Sequence, residues 1–222
     1  MNNITAKNEI INIGKQLMDK KFTWGNAGNI SIRVDEETFL ITASGTILKE
    51  LTVDDIVECK LTENGYEYKG ETKPSKEAII HSLVYKKRND VNSVIHVSPF
   101  YATFISILGL EIPNNLFVEN MYYLERIKKV PYKHPGSIEL ASEIERYVTQ
   151  TNIILLENHG ILCYDTNSRE TMIAIEILEE TCRMVVLSKS MGADIVGLRE
   201  EIVKDFLGNS GYKKRRKWED GR

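Results

Sequence analysis

Ile153-Ile154-Leu155-Leu156-Glu157-Asn158-His159-Gly160-Ile161-Leu162-Cys163-Tyr164 sets two short apolar runs on either side of a polar turn. Each run is too short for a helix and rich in β-favouring residues, so 153–156 and 161–164 are expected to be buried strands. The first delivers a histidine, His159, at its end. Val94-Ile95-His96-Val97-Ser98-Pro99 repeats the design, with His96 closing a hydrophobic strand that begins near Val91. A second histidine two residues on would complete a two-ligand claw, and Ser98 stands there instead.

The rest of the chain mixes hairpins with helices. Ile10, Ile11, Ile13, Leu17 and Met18 recur at helical spacing, which predicts an amphipathic helix ending before Phe22. Ile30–Val34 alternates with period two and pairs through Asp35-Glu36-Glu37 with the apolar run Thr38–Thr42; Val57–Leu61 and Tyr66–Tyr68 form a second hairpin through Asn64-Gly65. Pro74-Ser75 opens a helix whose buried stripe is Ile79, Ile80, Leu83 and Val84, with Ser75 as its cap. Further helices are expected from Tyr101 to Leu108 and from Ser137 through Val148. Asn167 and Glu170 have the spacing of a capping box, opening the longest helix, Ser168 to about Met191, apolar on much of its circumference. Such an order predicts an α/β fold with a mainly antiparallel sheet between helical layers, rather than a βαβ repeat.

The composition excludes several function classes. A chain of 222 residues is expected to form one domain around one sizeable core, here 1–208, followed by a basic, flexible C-terminal tail at 209–222 that includes Lys213-Lys214-Arg215-Arg216-Lys217. A net charge of −3 lacks the basic footprint of a nucleic-acid binder. No stretch offers the roughly 18 apolar residues of a membrane span. Three widely spaced cysteines, Cys59, Cys163 and Cys182, fit a reducing compartment, so a cytoplasmic protein is expected.

Candidate chemistry gathers in a few places. In Lys73-Pro74-Ser75-Lys76-Glu77 a helix start, a hydroxyl and a lysine make a phosphate seat. Glu77 falls in the first turn, and His81 follows four residues later on the same helix face, either as a functional group or as a partly buried structural histidine. Gly28-Asn29 and Ser44-Gly45 are small polar turns at strand ends, where backbone amides can form an anion nest. Imidazole suits zinc and similar divalent ions, yet only four histidines are available: His81, His96, His134 and His159.

These segments, in this order, resemble the class II aldolase/adducin family: Gly28-Asn29-Ile30-Ser31, Leu40-Ile41-Thr42-Ala43-Ser44-Gly45, Lys73-Pro74-Ser75-Lys76-Glu77, the His96 segment through Tyr101-Ala102-Thr103, and Leu155-Leu156-Glu157-Asn158-His159-Gly160. The resemblance runs from about Ala6 to Phe206. It implies a three-layer α/β/α domain, a homotetramer with sites between subunits, a divalent metal of which zinc is typical, and a lyase or isomerase acting on a small phosphorylated sugar or keto-hydroxy compound. Aldol cleavage is the typical reaction; epimerisation, dehydration and decarboxylation are its variants.

Residue by residue, the resemblance puts Asn29, Ser44, Gly45, Ser75 and Lys76 at the substrate phosphate, with Lys76 replacing a typical serine. Glu77 falls on the acidic residue that moves protons and touches the metal, and His96 and His159 fall on two of three histidine ligands. The third falls on Ser98, and Phe117 stands where the fuculose-phosphate aldolases carry a catalytic tyrosine; Tyr212 matches a second, C-terminal tyrosine. A serine hydroxyl is a poor zinc ligand, so either Glu77 or His134 supplies the third, or the chain is a metal-free, non-catalytic member serving as a binding or interaction module.

Overall fold

The computed structural model describes residues 2–219. Eight strands form one sheet: β1 (Asn29–Arg33), β2 (Thr38–Thr42), β3 (Ile56–Thr62), β4 (Gly65–Tyr68), β5 (Ser93–Val97), β6 (Ile127–Val130), β7 (Ile153–Leu156) and β8 (Gly160–Asp165). Their spatial order is β4-β3-β2-β1-β5-β8-β7-β6. Every neighbouring pair is antiparallel except β6 with β7. A parallel pair needs a crossover, and the helix α5 (Ile138–Glu145) lies on the connection between those two strands.

The sheet is covered on both faces. On one side α1 (Asn3–Asp19), α3 (Phe100–Leu108) and α6 (Ser168–Ser190) pack Ile10, Leu17, Ile105, Ile175 and Leu178 onto Ile30, Leu40, Ile95, Leu155 and Ile161. On the other, α2 (Ala78–Lys87) and α5 pack Ile80, Val84, Leu140 and Ile144 onto Phe39, Ile41, Val94, Ile154 and Leu162. Odd and even positions of the central strands therefore serve different cores, as the two-residue period of a strand requires. The expected three-layer α/β/α architecture with a mainly antiparallel sheet is the observed one. Among the described residues no helix is long and apolar enough to cross a membrane, and all three cysteines are buried, unbridged thiols.

Some local expectations are corrected. The second helix starts at Ala78 rather than at Ser75. Residues 74 and 75 are held extended beside β2: Pro74 bridges Ala43, and the Ser75 N–H donates to the Thr42 carbonyl. Ser75 still caps a turn, since its hydroxyl accepts from the Glu77 N–H at 3.3 Å and its carbonyl from the Ala78 N–H. The box at Asn167 is half formed: Asn167 accepts from the Glu170 N–H, but the Glu170 carboxylate turns away to Lys213 and Tyr123. β6 was not anticipated, because Lys128-Lys129 interrupts its apolar pattern; on an edge strand those lysines oppose further strand pairing.

The basic run, expected as a free tail, is tied to the domain at several points, although Lys214, Arg215 and Lys217 are exposed. Lys213 Nζ pairs with Glu170 at 2.6 Å, the Arg216 guanidinium donates to Asp165 with both side chains at least 90% buried, and the Glu219 N–H donates to the Thr149 carbonyl. Acidic groups at the start of α6 and the end of β8 hold it down, and long-range pairing of this kind leaves no local signal in a run of like charges. Residues 220–222 of the expected tail lie outside the described residues.

Candidate active site

β1, β5 and the β7–β8 turn converge on the N-terminal end of α2. Asn29 and His96 are direct partners across the β1–β5 ladder, so both side chains stand on the α2 face of the sheet. His159 arrives from the turn between Leu156 and Gly160, where Asn158 takes a left-handed conformation (φ 57°). Gly160 is required there: a Cβ would lie 2.4 Å from the Val97 carbonyl oxygen and 2.8 Å from Ser98 Oγ.

Glu77 is the centre of the cluster. Its Oε2 lies 3.3 Å from His96 Nε2 and its Oε1 lies 3.5 Å from His159 Nε2. The ligand atoms of these three residues all fall within 4.8 Å of one another, and among the described residues no other group of three His, Cys, Asp or Glu side chains is so arranged. His96 Nδ1 faces the Ile161 carbonyl at 2.9 Å, which fixes the proton on Nδ1 and leaves the Nε2 lone pair directed at a carboxylate. Two acceptors facing each other repel unless a cation or a proton lies between them. Glu77 Oε1 and His159 Nδ1 have no hydrogen-bond partner among the described residues.

The electrostatics suit a cation. Burial alone would raise the Glu77 carboxyl, but His96, His159 and the Asn29 amide beside it reverse that, holding it below the ordinary range. Burial, reinforced by His96, lowers His159 to about 4, so its imidazole is neutral and able to ligate at neutral pH. A buried carboxylate between two imidazoles, with an orphaned oxygen, fits a divalent metal.

The remaining expected residues sort themselves plainly. The Ser98 hydroxyl donates to the His159 carbonyl at 2.8 Å and so fastens the ligand-bearing turn. His134 is exposed, shares a long 3.5 Å contact with Tyr132, and is not part of the cluster. Tyr212 packs against Tyr122 and Phe206, and Phe117 precedes the helix α4 (Val118–Tyr123). Ser44 and Ser75 are brought together by the Ala43–Pro74 bridge, with Lys76 exposed beside them. The Ser44 N–H is committed to the Lys73 carbonyl and the Ser75 N–H to Thr42, while those of Gly45 and Lys76 donate to no group among the described residues. Asn29 is largely committed inward: its carbonyl faces His81 and one amide N–H faces Glu77, so at most one side-chain N–H is left for a phosphate.

Comparison with known proteins agrees with this geometry. The class II aldolase and adducin N-terminal domain matches residues 8–186. The chain belongs to the class II aldolase and adducin family. It is 35% identical over 182 residues to an L-fuculose phosphate aldolase of Methanocaldococcus jannaschii, covering 82% of this chain and 96% of that protein. It is 31% identical over 215 residues to a 3-oxo-tetronate 4-phosphate decarboxylase of Haemophilus influenzae, covering 95% and 100%. Among solved structures, the putative aldolase/epimerase/decarboxylase YgbL of Klebsiella pneumoniae superposes with a TM-score of 0.82 at 28% identity, covering 93% of this chain and 99% of that one. The chain is thus a class II aldolase-like lyase.

Two contributions escaped the sequence reading. Glu179, buried in the middle of α6, accepts from the Tyr101 and Ala102 N–H groups at 2.9 Å and caps α3 from outside that helix. Ser31 and Tyr85 complete a buried polar line behind Asn29. The available signal was the match between alternate polar positions of β1 (Asn29, Ser31, Arg33) and every fourth position from Glu77 (His81, Tyr85).

Proposed function

We propose that this lyase holds a divalent metal, zinc being typical of the family, on Glu77, His96 and His159, and cleaves a carbon–carbon bond in a small phosphorylated sugar or keto-hydroxy compound. The supporting observation is the convergence of one carboxylate and two imidazoles within 4.8 Å. When bound, such an ion supplies polarisation of a carbonyl and stabilisation of the negative charge left by bond cleavage. The chain's own groups bind and orient. Gly45 and Lys76 offer N–H groups, the Ser44 and Ser75 hydroxyls stand beside them, and the Lys76 ammonium completes a phosphate seat. We place the protein in the cytoplasm as a homotetramer, the arrangement the family resemblance implies.

Decarboxylation is the reaction this site favours over aldol cleavage. Aldol cleavage needs a base to take a hydroxyl proton. Glu77 faces two imidazoles and an amide, which suits a fixed ligand better than a free base. Phe117 has no proton to give. A β-keto carboxylate is already ionised, so no hydroxyl proton has to be removed; loss of carbon dioxide leaves an enolate, whose carbon then takes a proton from solvent. The relative matched over its whole length is named a decarboxylase.

Metal analysis of the purified protein tests the first part: stoichiometric metal, lost in His159→Ala, is expected. Metal-free wild-type protein that still turns over sugar phosphates would overturn it. Carbon dioxide release from a 3-oxo-tetronate 4-phosphate, compared with retro-aldol cleavage of L-fuculose 1-phosphate, decides between the reactions.

A further inference from the structure

Glu77 is backed by a line of buried side chains. Asn29 Nδ2 donates to Glu77 Oε2 at 2.8 Å; Asn29 Oδ1 meets His81 Nε2 at 2.6 Å; His81 Nδ1 meets Ser31 Oγ at 2.6 Å; Ser31 Oγ meets Tyr85 OH at 2.8 Å. Asn29, Ser31, His81 and Tyr85 are all at most 4% exposed. The line exists because two periods coincide. Alternate residues of a strand are roughly 6.6 Å apart and every fourth residue of a helix roughly 6 Å, so positions 29, 31 and 33 keep step with 77, 81 and 85. At its far end Arg33 lies 4.9 Å above the Tyr85 ring and donates to the Tyr85 carbonyl.

Each proton in the line has a single allowed place. An ionised carboxylate only accepts, so Asn29 must present its NH2 to Glu77 and its carbonyl to His81. That carbonyl needs a donor, which puts the His81 proton on Nε2 and leaves Nδ1 as an acceptor. Ser31 must then donate to Nδ1, and Tyr85 must donate to Ser31. Reversing any one link would set acceptor against acceptor or donor against donor in a dry interior, leaving buried polar groups unpaired.

We propose that Tyr85, Ser31, His81 and Asn29 form a one-way hydrogen-bond line that locks the His81 tautomer and orients the Glu77 carboxylate, with Asn29 and His81 as positioning residues. The line rests on the reading of Glu77 as a site residue, but its proton arrangement is testable without metal or substrate. Ring 15N NMR of the apoprotein is expected to show His81 protonated on Nε2 and bare on Nδ1. A proton on Nδ1 would overturn the line whatever the metal result. For the link to function, apoprotein is titrated with Zn2+ alone: Ser31→Ala is expected to weaken binding by about 10–100-fold, and Ser31→Thr, which keeps the hydroxyl, to restore it. Tyr85→Phe removes one oxygen without changing the core's shape, so it serves if Ser31→Ala does not fold; a smaller weakening in the same direction is expected. Wild-type affinity in every folded variant of the two would refute the positioning role. Should wild-type protein bind no Zn2+, the proposed metal site fails while the tautomer measurement still decides the line.

Discussion

The two helical layers cover the same sheet with different chemistry. Beneath α1, α3 and α6 the central strands present Ile30, Ile32, Ile95, Val97, Ile161 and Cys163, an apolar surface of interlocking side chains. Beneath α2 the same strands present Asn29, Ser31 and Arg33 from β1 and His96 from β5, set among apolar neighbours such as Val94 and Leu162. One layer is held by close packing; the other also houses a polar site that packing alone would disfavour. The lesson is a division of labour between faces of single strands, and adjacent residues on β5 make it testable.

The largest effect should come from His96→Ala. Losing one of the proposed metal ligands is expected to reduce activity by about 10³-fold, equivalent to the several kcal/mol a metal supplies in charge stabilisation, with metal content falling in parallel. The melting temperature of the apoprotein should change little, since the substitution also removes a lone pair that faces a carboxylate. Next is its neighbour Ile95→Ala, fully buried in the dry layer. It should cost about 2–5 kcal/mol by chemical denaturation while the folded fraction keeps full metal occupancy. If Ile95→Ala loses metal or His96→Ala loses most of its apo stability, the division between layers is wrong.

Acid provides a sharper probe of the polar layer. Burial lowers His81 to about 3 from an ordinary 6.5. Below 6.5 the unfolded chain takes up a proton that the folded protein refuses, so this stability is fully present above pH 6.5 and is lost as pH falls toward 3. A single such group contributes a slope of up to about 1.4 kcal/mol per pH unit. His159, lowered to about 4, adds its own slope in the same direction. Denaturation of His81→Gln between pH 6 and 4.5 should therefore show a shallower pH dependence than wild type, and equal slopes would contradict the burial of a neutral His81. The smallest effect is expected on the outer rim of the dry layer, where Lys20 and Glu176 pair at 2.8 Å with 41% and 48% of their side chains exposed. Lys20→Ala should lower stability by about 0–1 kcal/mol and leave metal and activity unchanged.

Much of this was legible in the residues. The strand pairs 30–34 with 38–42 and 153–156 with 161–164 appear close to their predicted bounds, because apolar runs and turn residues are local signals. Glu77, His96 and His159 were named as metal-ligand candidates, and the fold brings these three together. What stayed hidden depended on partners distant in sequence. The polar alternation of β1 resembles a solvent-facing strand, and only the arrival of α2 turns it into a buried seam. His81 looked half-structural for the same reason, since its two partners are 50 and 52 residues away. Likewise, the like-charged run at 213–217 carries no hint of the Glu170 and Asp165 carboxylates that receive it.

The alternation of β1 also has a consequence for how the chain finds its structure. Sliding the strand by one residue against β2 and β5 would turn Ile30 and Ile32 toward Glu77 and His81, and bury Asn29, Ser31 and Arg33 among the aliphatic side chains of α1 and α6. An all-apolar strand in the middle of this sheet would tolerate such a slip, because either face would find grease. Here the wrong pairing strands polar groups without partners on one side and starves a carboxylate and an imidazole of theirs on the other. The residues that orient the site therefore also act as a register mark, penalising misaligned strands while the sheet assembles.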